Sequence, residues 1–289
     1  MIDAFKNEML NFIMAGGVDL PSPDVIKTEF DGEKTSTSHY CYISMGGGPT
    51  PVGFFLKHIL IYSLLDAVFE SEIPDLEDKG FMAKYKRLPE SDEYEKSVKE
   101  TYRILTFVRN VAVHNKSKLT IENGRIGCSY KKWNQRKKND IPLTLDIGYE
   151  GLAILYSIAV MRAKLKGDVD RYHRLLISAM YESALSEINI FDDEYKYDCG
   201  IGITNFSLDR KILWRRRYRI ASPILKDEGD FIRFSRMPAY EDWASDEYLL
   251  ERGEDKYIIP GEFLLDDGRL PKEELESWRL LNKVIMATG

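Results

Sequence analysis

Three residues near the middle of the chain, Arg109, Asn110 and His114, carry side chains suited to acid–base chemistry on a phosphodiester. A histidine with an unperturbed pKa of about 6.5 gives up or accepts a proton near neutral pH. An arginine stays charged and offers two phosphate oxygens a planar fork of N–H donors. An adjacent amide can orient the imidazole or bind the phosphate. Metal-free RNA cleavage needs such groups, because the 2′-hydroxyl loses a proton, the phosphorane needs stabilising and the leaving 5′-oxygen gains a proton.

The segment around these residues, from Phe107 to Asn115, reads Phe-Val-Arg-Asn-Val-Ala-Val-His-Asn and ends a long helical pattern. It resembles the Arg-x4-6-His signature of the HEPN superfamily (higher eukaryote and prokaryote nucleotide-binding), in the variant with asparagine after the arginine. The resemblance covers about residues 50–190. The β-hairpin pattern directly after the motif and the length of the chain both depart from a minimal HEPN domain.

The resemblance implies a metal-independent endoribonuclease that cleaves RNA by attack of the 2′-hydroxyl and needs no cofactor. In that reading Arg109 stabilises the phosphorane, His114 is the acid or base, and Asn110 assists. The family pattern is a homodimer in which both motifs line one cleft. A role as a toxin or antiviral effector is implied too, with a cognate inhibitor protein as a second partner besides RNA.

Helix geometry constrains this hypothesis. Residues five apart point about 140° apart around an ideal helix, so Arg109 and His114 do not share a face. They converge only if the helix ends between them or if two copies of the motif face each other. In the structural alternative, Arg109 pairs with a carboxylate such as Glu100, and His114 ends the helix, where its charge favours the dipole.

Two other functions remain open. The chain can be a non-catalytic module that binds nucleic acid or a partner protein, with Arg109 in a structural role. It can also be a phage or mobile-element protein whose main activity lies in its N-terminal strands and C-terminal domain.

Basic residues cluster at two places in this acidic chain. Between residues 116 and 138 there are eight basic residues and one acidic residue, together with Tyr130 and Trp133. The second cluster, residues 210–219, alternates so that Arg215 and Arg217 share one face of a strand. Charge beside aromatic rings favours contact with unpaired bases; the alternatives are a solvated hairpin and a charged edge strand. The predicted RNA-binding residues are Lys116, Lys118, Lys131, Lys132, Arg136, Arg215 and Arg217.

Composition limits the class of protein. The chain has 289 residues, 44% of them hydrophobic, and a formal net charge of -6, which excludes a collagenous or disordered chain and argues against a general polycation. Three widely spaced cysteines cannot all pair, so a reduced compartment is expected. The charged N-terminus does not look like a secretory signal, and no apolar window is long enough to span a bilayer. These features predict a cytoplasmic protein without a membrane contact.

Periodicity predicts mostly helices in the first two thirds of the chain. The predicted helices cover residues 3–15, 52–70, 91–114, 147–166 and 168–190. Predicted strands lie near residues 25–26, 30 and 40–43, at 201–206, 212–220 and 231–234, and in a hairpin at 118–130 around Asn123-Gly124. A last helix is predicted from Pro271 to about Met286.

The predicted fold class is α+β but mainly α: a HEPN-like helical bundle with a β-hairpin insertion and a smaller C-terminal α+β domain. The predicted boundaries are 1–50 for an N-terminal helix with short strands, 51–191 for the bundle and 192–289 for the C-terminal domain. Three weaker candidates are an anion-binding loop at residues 46–50, a polar helix face at His58, Tyr62 and Asp66, and a cation site at the acidic residues of 192–198. For each of these a structural role is the preferred interpretation.

Overall fold

A computed structural model describes residues 2–18, 20–30, 35–41, 53–114, 116–135, 137–165, 167–235 and 245–281. Within these ranges the α-helices are α1 (Ile2–Phe12), α2 (Phe54–Glu72), α3 (Phe81–Tyr85), α4 (Glu93–His114), α5 (Tyr149–Lys164), α6 (Arg171–Leu185) and α7 (Glu194–Cys199). The strands are β1 (Asp24–Phe30), β2 (Thr35–Cys41), β3 (Leu119–Glu122), β4 (Arg125–Asn134), β5 (Asn139–Gly148), β6 (Ile188–Asp192), β7 (Arg216–Ala221), β8 (Leu225–Glu228), β9 (Phe231–Phe234), β10 (Ser245–Arg252), β11 (Asp255–Pro260) and β12 (Arg269–Pro271).

The prediction of a mainly α-helical bundle is wrong. Helical segments make up 46% and strands 29% of the described residues, and the strands form sheets of five, four and three strands. The chain is therefore a mixed α and β protein. The error has a physical cause: helical periodicity is visible in a local window, whereas the sheets also depend on pairings between distant segments, such as β1 with β7 and β5 with β6.

The chain divides into two units, each assembled from separate segments. The first unit comprises residues 1–21, 43–163 and 180–207, and the second comprises residues 22–42, 164–179 and 208–289. These units do not coincide with the predicted boundaries at residues 50 and 191. Helix α6 contributes its first part to the second unit and its last part to the first.

Helices of the first unit pack through apolar faces. Helix α2 contacts both α1 and α4. The fully buried apolar side chains include Ile61, Leu64 and Leu65 of α2, Leu105 and Val108 of α4, and Leu152 and Leu155 of α5. Burial of each such side chain stabilises the fold by roughly 1.5–3 kcal/mol, which is how this core holds α4 in place.

His58 on α2 lies inside this core rather than on a functional face. Its Nε2 atom lies 3.0 Å from the carbonyl oxygen of Leu105, to which it donates, and its Nδ1 atom lies 2.8 Å from the hydroxyl of Tyr156, from which it accepts. Both partners suit the neutral ring. Burial lowers the pKa of His58 to about 4, and the hydrogen bond to Leu105 only partly opposes that shift.

This buried imidazole predicts a pH dependence of stability. Because the folded pKa lies below the unfolded value of about 6.5, the neutral ring adds up to about 3 kcal/mol to the free energy of unfolding above pH 6.5. This contribution is lost as the pH falls towards 4. It is measured by urea unfolding of the wild type and of a His58→Leu variant between pH 7.5 and 4. We expect the wild type to lose more stability than the variant on acidification; equal losses would contradict the assignment.

The sheet of the first unit has the order β3-β4-β5-β6, with antiparallel neighbours throughout. The predicted hairpin is confirmed: Asn123 and Gly124, at φ of 51° and 72°, turn β3 into β4. Sequence analysis missed the continuation of β4 and all of β5. Strand β5 buries alternate residues, Ile141, Leu143, Leu145 and Ile147, and this period of two was the available signal.

The second unit contains a five-stranded sheet in the order β11-β10-β7-β1-β2. Its central strand β7 pairs in parallel with both β1 and β10, and the outer pairs are antiparallel. A separate antiparallel sheet has the order β12-β9-β8. The predicted N-terminal strands correspond to β1 and β2, while residues 31–34 between them lie outside the described residues.

Several element predictions near the C-terminus are corrected. Residues 201–206 form no strand, and residues 188–190, predicted as the end of a helix, belong to β6. The predicted last helix is a 3-10 helix at Lys272–Trp278, and its remainder after residue 281 lies outside the described residues. Among the described residues, every helix is too short or not apolar enough to cross a membrane.

Candidate functional site

Helix α4 positions all three residues of the Arg-His motif. The carboxylate of Asp92 accepts a hydrogen bond from the backbone N–H of Glu95 at 2.9 Å and so caps the start of the helix. Most of the helix is buried as far as Ala112. Arg109 and Asn110 are half-buried, and His114, the last residue of α4, is exposed. The motif therefore lies where the buried helix emerges at the surface.

Arg109 carries a charge that no carboxylate compensates among the described residues. Its Nη1 atom donates to Oδ1 of Asn110 at 3.1 Å, and its guanidinium carbon lies 5.9 Å from the ring centre of Tyr62. Glu100, the carboxylate considered as its partner, pairs with Arg103 instead. Arg109 therefore does not pair with Glu100, because residues nine apart point to opposite sides of a helix.

The three motif residues divide between two faces of α4. Asn110 and His114 are four residues apart and point within about 40° of each other. Arg109 points about 140° away from His114, as the sequence predicts. Within one chain, Asn110 and His114 thus lie on one face of α4 and Arg109 is hydrogen-bonded to Asn110, but Arg109 and His114 do not share a face.

An open cavity of about 420 Å³ lies in the first unit beside Asn110. The residues that face it include Phe81 and Met82 of α3, Thr106, Phe107 and Asn110 of α4, and Glu194 of α7. Its walls are largely apolar, with a few polar atoms at defined positions, which is the usual lining of a small-molecule or base-binding site. Sequence analysis did not find this cavity.

The floor of the cavity is a buried charge cluster around Arg103. Its Nε and Nη2 atoms donate to the two carboxylate oxygens of Asp193 at 2.7 and 2.6 Å, and Nη1 donates to Glu100 at 3.3 Å. The remaining N–H groups reach the carbonyls of Ile201 and Gly202. Burial opposes the charge, but the hydrogen bonds to Asp193 and the two carboxylates outweigh it and raise the pKa of Arg103. Every donor of Arg103 is occupied, so this residue is structural.

One signal for Arg103 existed in the sequence. It precedes Asn110 by seven residues and His114 by eleven, so all three lie on one stripe of α4. The acidic residues 192–198, considered as a cation site, are not a solvated cluster: Asp193 is buried and paired with Arg103. Among the described residues, no group of His, Cys, Asp and Glu side chains is arranged to hold a metal ion.

The first basic cluster lies on the same unit as the cavity. The side chains of Lys118, Lys131 and Lys132 are exposed, and Trp133 is exposed to 59%. Nζ of Lys132 forms an ion pair with Glu194 at 2.6 Å, and the ring of Tyr130 lies 6.4 Å from that of Phe107. Strand β4 therefore joins the predicted basic surface to the cavity. Arg136 and the side chain of Lys116 lie outside the described residues.

The second basic cluster does not form a uniform surface. Arg215 is exposed beside Trp214, at 5.3 Å from its ring centre. Arg217 is fully buried: its Nε donates to Glu247 at 2.5 Å, and its Nη1 donates to Glu262 at 2.9 Å. The prediction that Arg217 contacts RNA is therefore wrong, because the arginine face of β7 points into the second unit rather than to solvent.

Comparison with known proteins assigns no family: no family model, curated protein or solved structure matches the chain. The glycine-rich loop at residues 46–50 lies outside the described residues. The candidate site is thus defined by the end of α4, the adjoining cavity and the basic strand β4.

Proposed function

We propose that the chain is a metal-independent endoribonuclease whose reacting groups are Arg109, Asn110 and His114. The observation that carries the proposal is the state of Arg109: a half-buried residue whose guanidinium has no compensating carboxylate among the described residues. A partly desolvated cation is stabilised by an anion, and a phosphodiester matches the planar fork of arginine. The exposed His114, five residues further along the same helix, supplies the group that moves protons.

Each residue has a defined task in this reaction. The 2′-oxygen attacks phosphorus after losing its proton, the P–O5′ bond breaks, and the 5′-oxygen gains a proton. His114 accepts or donates one of these protons, which is worth about a hundredfold to ten-thousandfold in rate. Arg109 binds the phosphorane oxygens as negative charge develops. Asn110 accepts a hydrogen bond from Arg109 and so sets the plane of the guanidinium.

The enzyme acts as a homodimer. The divergence of Arg109 and His114 on one helix means that a single chain does not present both to one phosphate, whereas two facing copies do. The exposed apolar side chain of Val113, next to His114, supports such a contact. Lys118, Lys131 and Lys132 hold the RNA backbone beside the site.

The RNA-cleavage proposal is tested with single-stranded RNA in excess chelator. We expect fragments that end in a 2′,3′-cyclic phosphate and a 5′-hydroxyl, and no cleavage of RNA with a 2′-deoxy nucleotide at the cut position, because the nucleophile is then missing. Cleavage that requires an added metal ion and leaves 5′-phosphates would contradict the proposal.

A non-catalytic nucleic-acid-binding module is the second candidate function. The observation that favours it is the exposed Lys131 beside exposed Trp133 on β4, since charge and a free aromatic ring together bind unpaired strands. In the same assay this function gives a salt-sensitive mobility shift without cleavage.

A further inference from the structure

The cavity beside Asn110 has the size and lining of a site for a flat ring. Its volume of about 420 Å³ lies within the range of about 300–1,000 Å³ that is typical of ligand sites. Phe81, Met82 and Phe107 supply apolar walls. The half-buried side chain of Phe81 can be reached from solvent. Aromatic walls of this kind stack on the faces of unpaired nucleobases.

Few polar atoms of the cavity are available to a ligand. Arg103 uses all its donors, and Asp193 accepts from Arg103 and from the backbone N–H of Lys196. The Thr106 hydroxyl donates to the carbonyl of Tyr102 at 2.7 Å, so only its lone pairs remain. These groups shape the cavity without offering it a donor.

Asn110 supplies the donor. Its Oδ1 accepts from Arg109, which fixes the orientation of the amide and leaves the two N–H groups of Nδ2 without an acceptor among the described residues. Glu194 can only accept, and Lys132 occupies only one of its oxygens. Among the side chains that line the cavity, Asn110 is therefore the available donor, and Thr106 and Glu194 are the available acceptors.

We infer that this cavity binds a guanine base. The Watson–Crick edge of guanine carries one acceptor, O6, followed by two donors, N1–H and the 2-amino group, which complements one donor and two acceptors. The Watson–Crick edges of adenine, cytosine and uracil each carry only one donor group. Each of these bases therefore leaves an acceptor of the site unpaired. The base can belong to a free guanine nucleotide or to an unpaired residue of an RNA strand.

The cavity also has a place in the proposed reaction. Asn110 links the two parts of the site, because its Nδ2 faces the base and its Oδ1 accepts from Arg109. His114 lies one turn, about 6 Å, further along α4. A guanine in the cavity therefore places its own phosphodiester near the reacting groups. Its role as selector of the cleavage position rests on the proposed function, whereas the binding of the base does not.

The first test is calorimetric titration of the full chain with GMP, AMP, CMP, UMP and IMP, which lacks the 2-amino group. We expect GMP to bind at least tenfold more tightly than AMP, CMP or UMP, with IMP between. Phe81→Leu removes the stacking face and Glu194→Gln removes an acceptor oxygen, so each variant should bind GMP at least tenfold more weakly than the wild type. Phe5→Leu and Glu122→Gln, at exposed positions outside the cavity, are the matched controls and should bind GMP as the wild type does. Equal binding of all nucleotides, or none, overturns the inference.

The second test separates the base site from the nuclease. RNAs that differ only in one unpaired G, A, C or U are incubated with wild type, Phe81→Leu and Glu194→Gln. If the wild type cleaves next to G and the two variants do not, the cavity recognises an unpaired guanine within an RNA strand. Selective GMP binding without any RNA cleavage keeps the base site and removes the nuclease. Cleavage without base preference and without GMP binding keeps the nuclease and removes the base site.

Discussion

Replacement of His114 with alanine should slow RNA cleavage by about a hundredfold to ten-thousandfold, the usual contribution of a positioned acid or base. The side chain is exposed at the last residue of α4, so its removal creates no cavity and should leave the thermal midpoint within about 1–2 °C of the wild type. Initial rates on a labelled single-stranded RNA, measured under single-turnover conditions, give the effect on the chemical step.

Two controls make this result specific to the motif. His39→Ala changes the other exposed histidine, which lies in the second unit, and should cleave at the wild-type rate. Arg109→Ala should be as impaired as His114→Ala, yet a mixture of the two variants should regain part of the activity, since one mixed site then combines an intact arginine and an intact histidine. An active His114→Ala protein ends the nuclease proposal; a mixture that stays inactive removes the two-chain site.

Replacement of Glu247 with alanine should cost about 3–5 kcal/mol of unfolding free energy, because it leaves two buried arginines without their shared carboxylate. Glu247, Arg217 and Arg219 are all fully buried, and the Nε atoms of both arginines donate to Glu247 at 2.5 Å. Tyr172 adds a hydrogen bond at 2.7 Å. Guanidinium chloride unfolding, followed by circular dichroism, measures the loss as a lower midpoint.

The same cluster determines how the stability of the fold changes at acidic pH. Burial would raise the pKa of Glu247, but Arg219 and Arg217 outweigh burial and lower it. The carboxylate thus stabilises the fold fully above the unfolded value of about 4.3 and progressively less below it. Glu251→Ala is the matched control, since Glu251 lies on the same strand with an exposed ion pair to Lys256 and should change stability little. Equal losses for Glu247→Ala and Glu251→Ala would contradict this account.

Local chemistry made several elements predictable. The Asn123-Gly124 turn specifies a hairpin because both residues accept positive φ, and Asp92 specifies the start of α4 because its carboxylate satisfies a free N–H. The apolar spacing of α2 and α5 identified both helices. Each signal lies within a few residues of the element that it defines, which is why composition and periodicity were sufficient.

The sheets needed information that no local window contains. Strand β7 reads as a basic edge strand, yet parallel neighbours on both sides place it at the centre of a sheet. That position puts Arg217 inside the second unit, against carboxylates 30 and 45 residues further along the chain. An arginine-rich strand therefore predicted an RNA surface where the structure has an internal ion cluster.

The sequence by itself determined that Arg109, Asn110 and His114 lie at the end of one long helical segment. The arginine and the histidine diverge because α4 continues as far as His114 in the structure. Tertiary structure alone decided which arginine keeps a free charge. Arg103 and Arg109 are alike in the sequence, but Asp193, ninety residues further on, folds back onto Arg103 and neutralises it, while Arg109 has no carboxylate among the described residues. The physical reason is that side-chain periodicity is a property of the helix, whereas charge compensation depends on which distant segment packs against it.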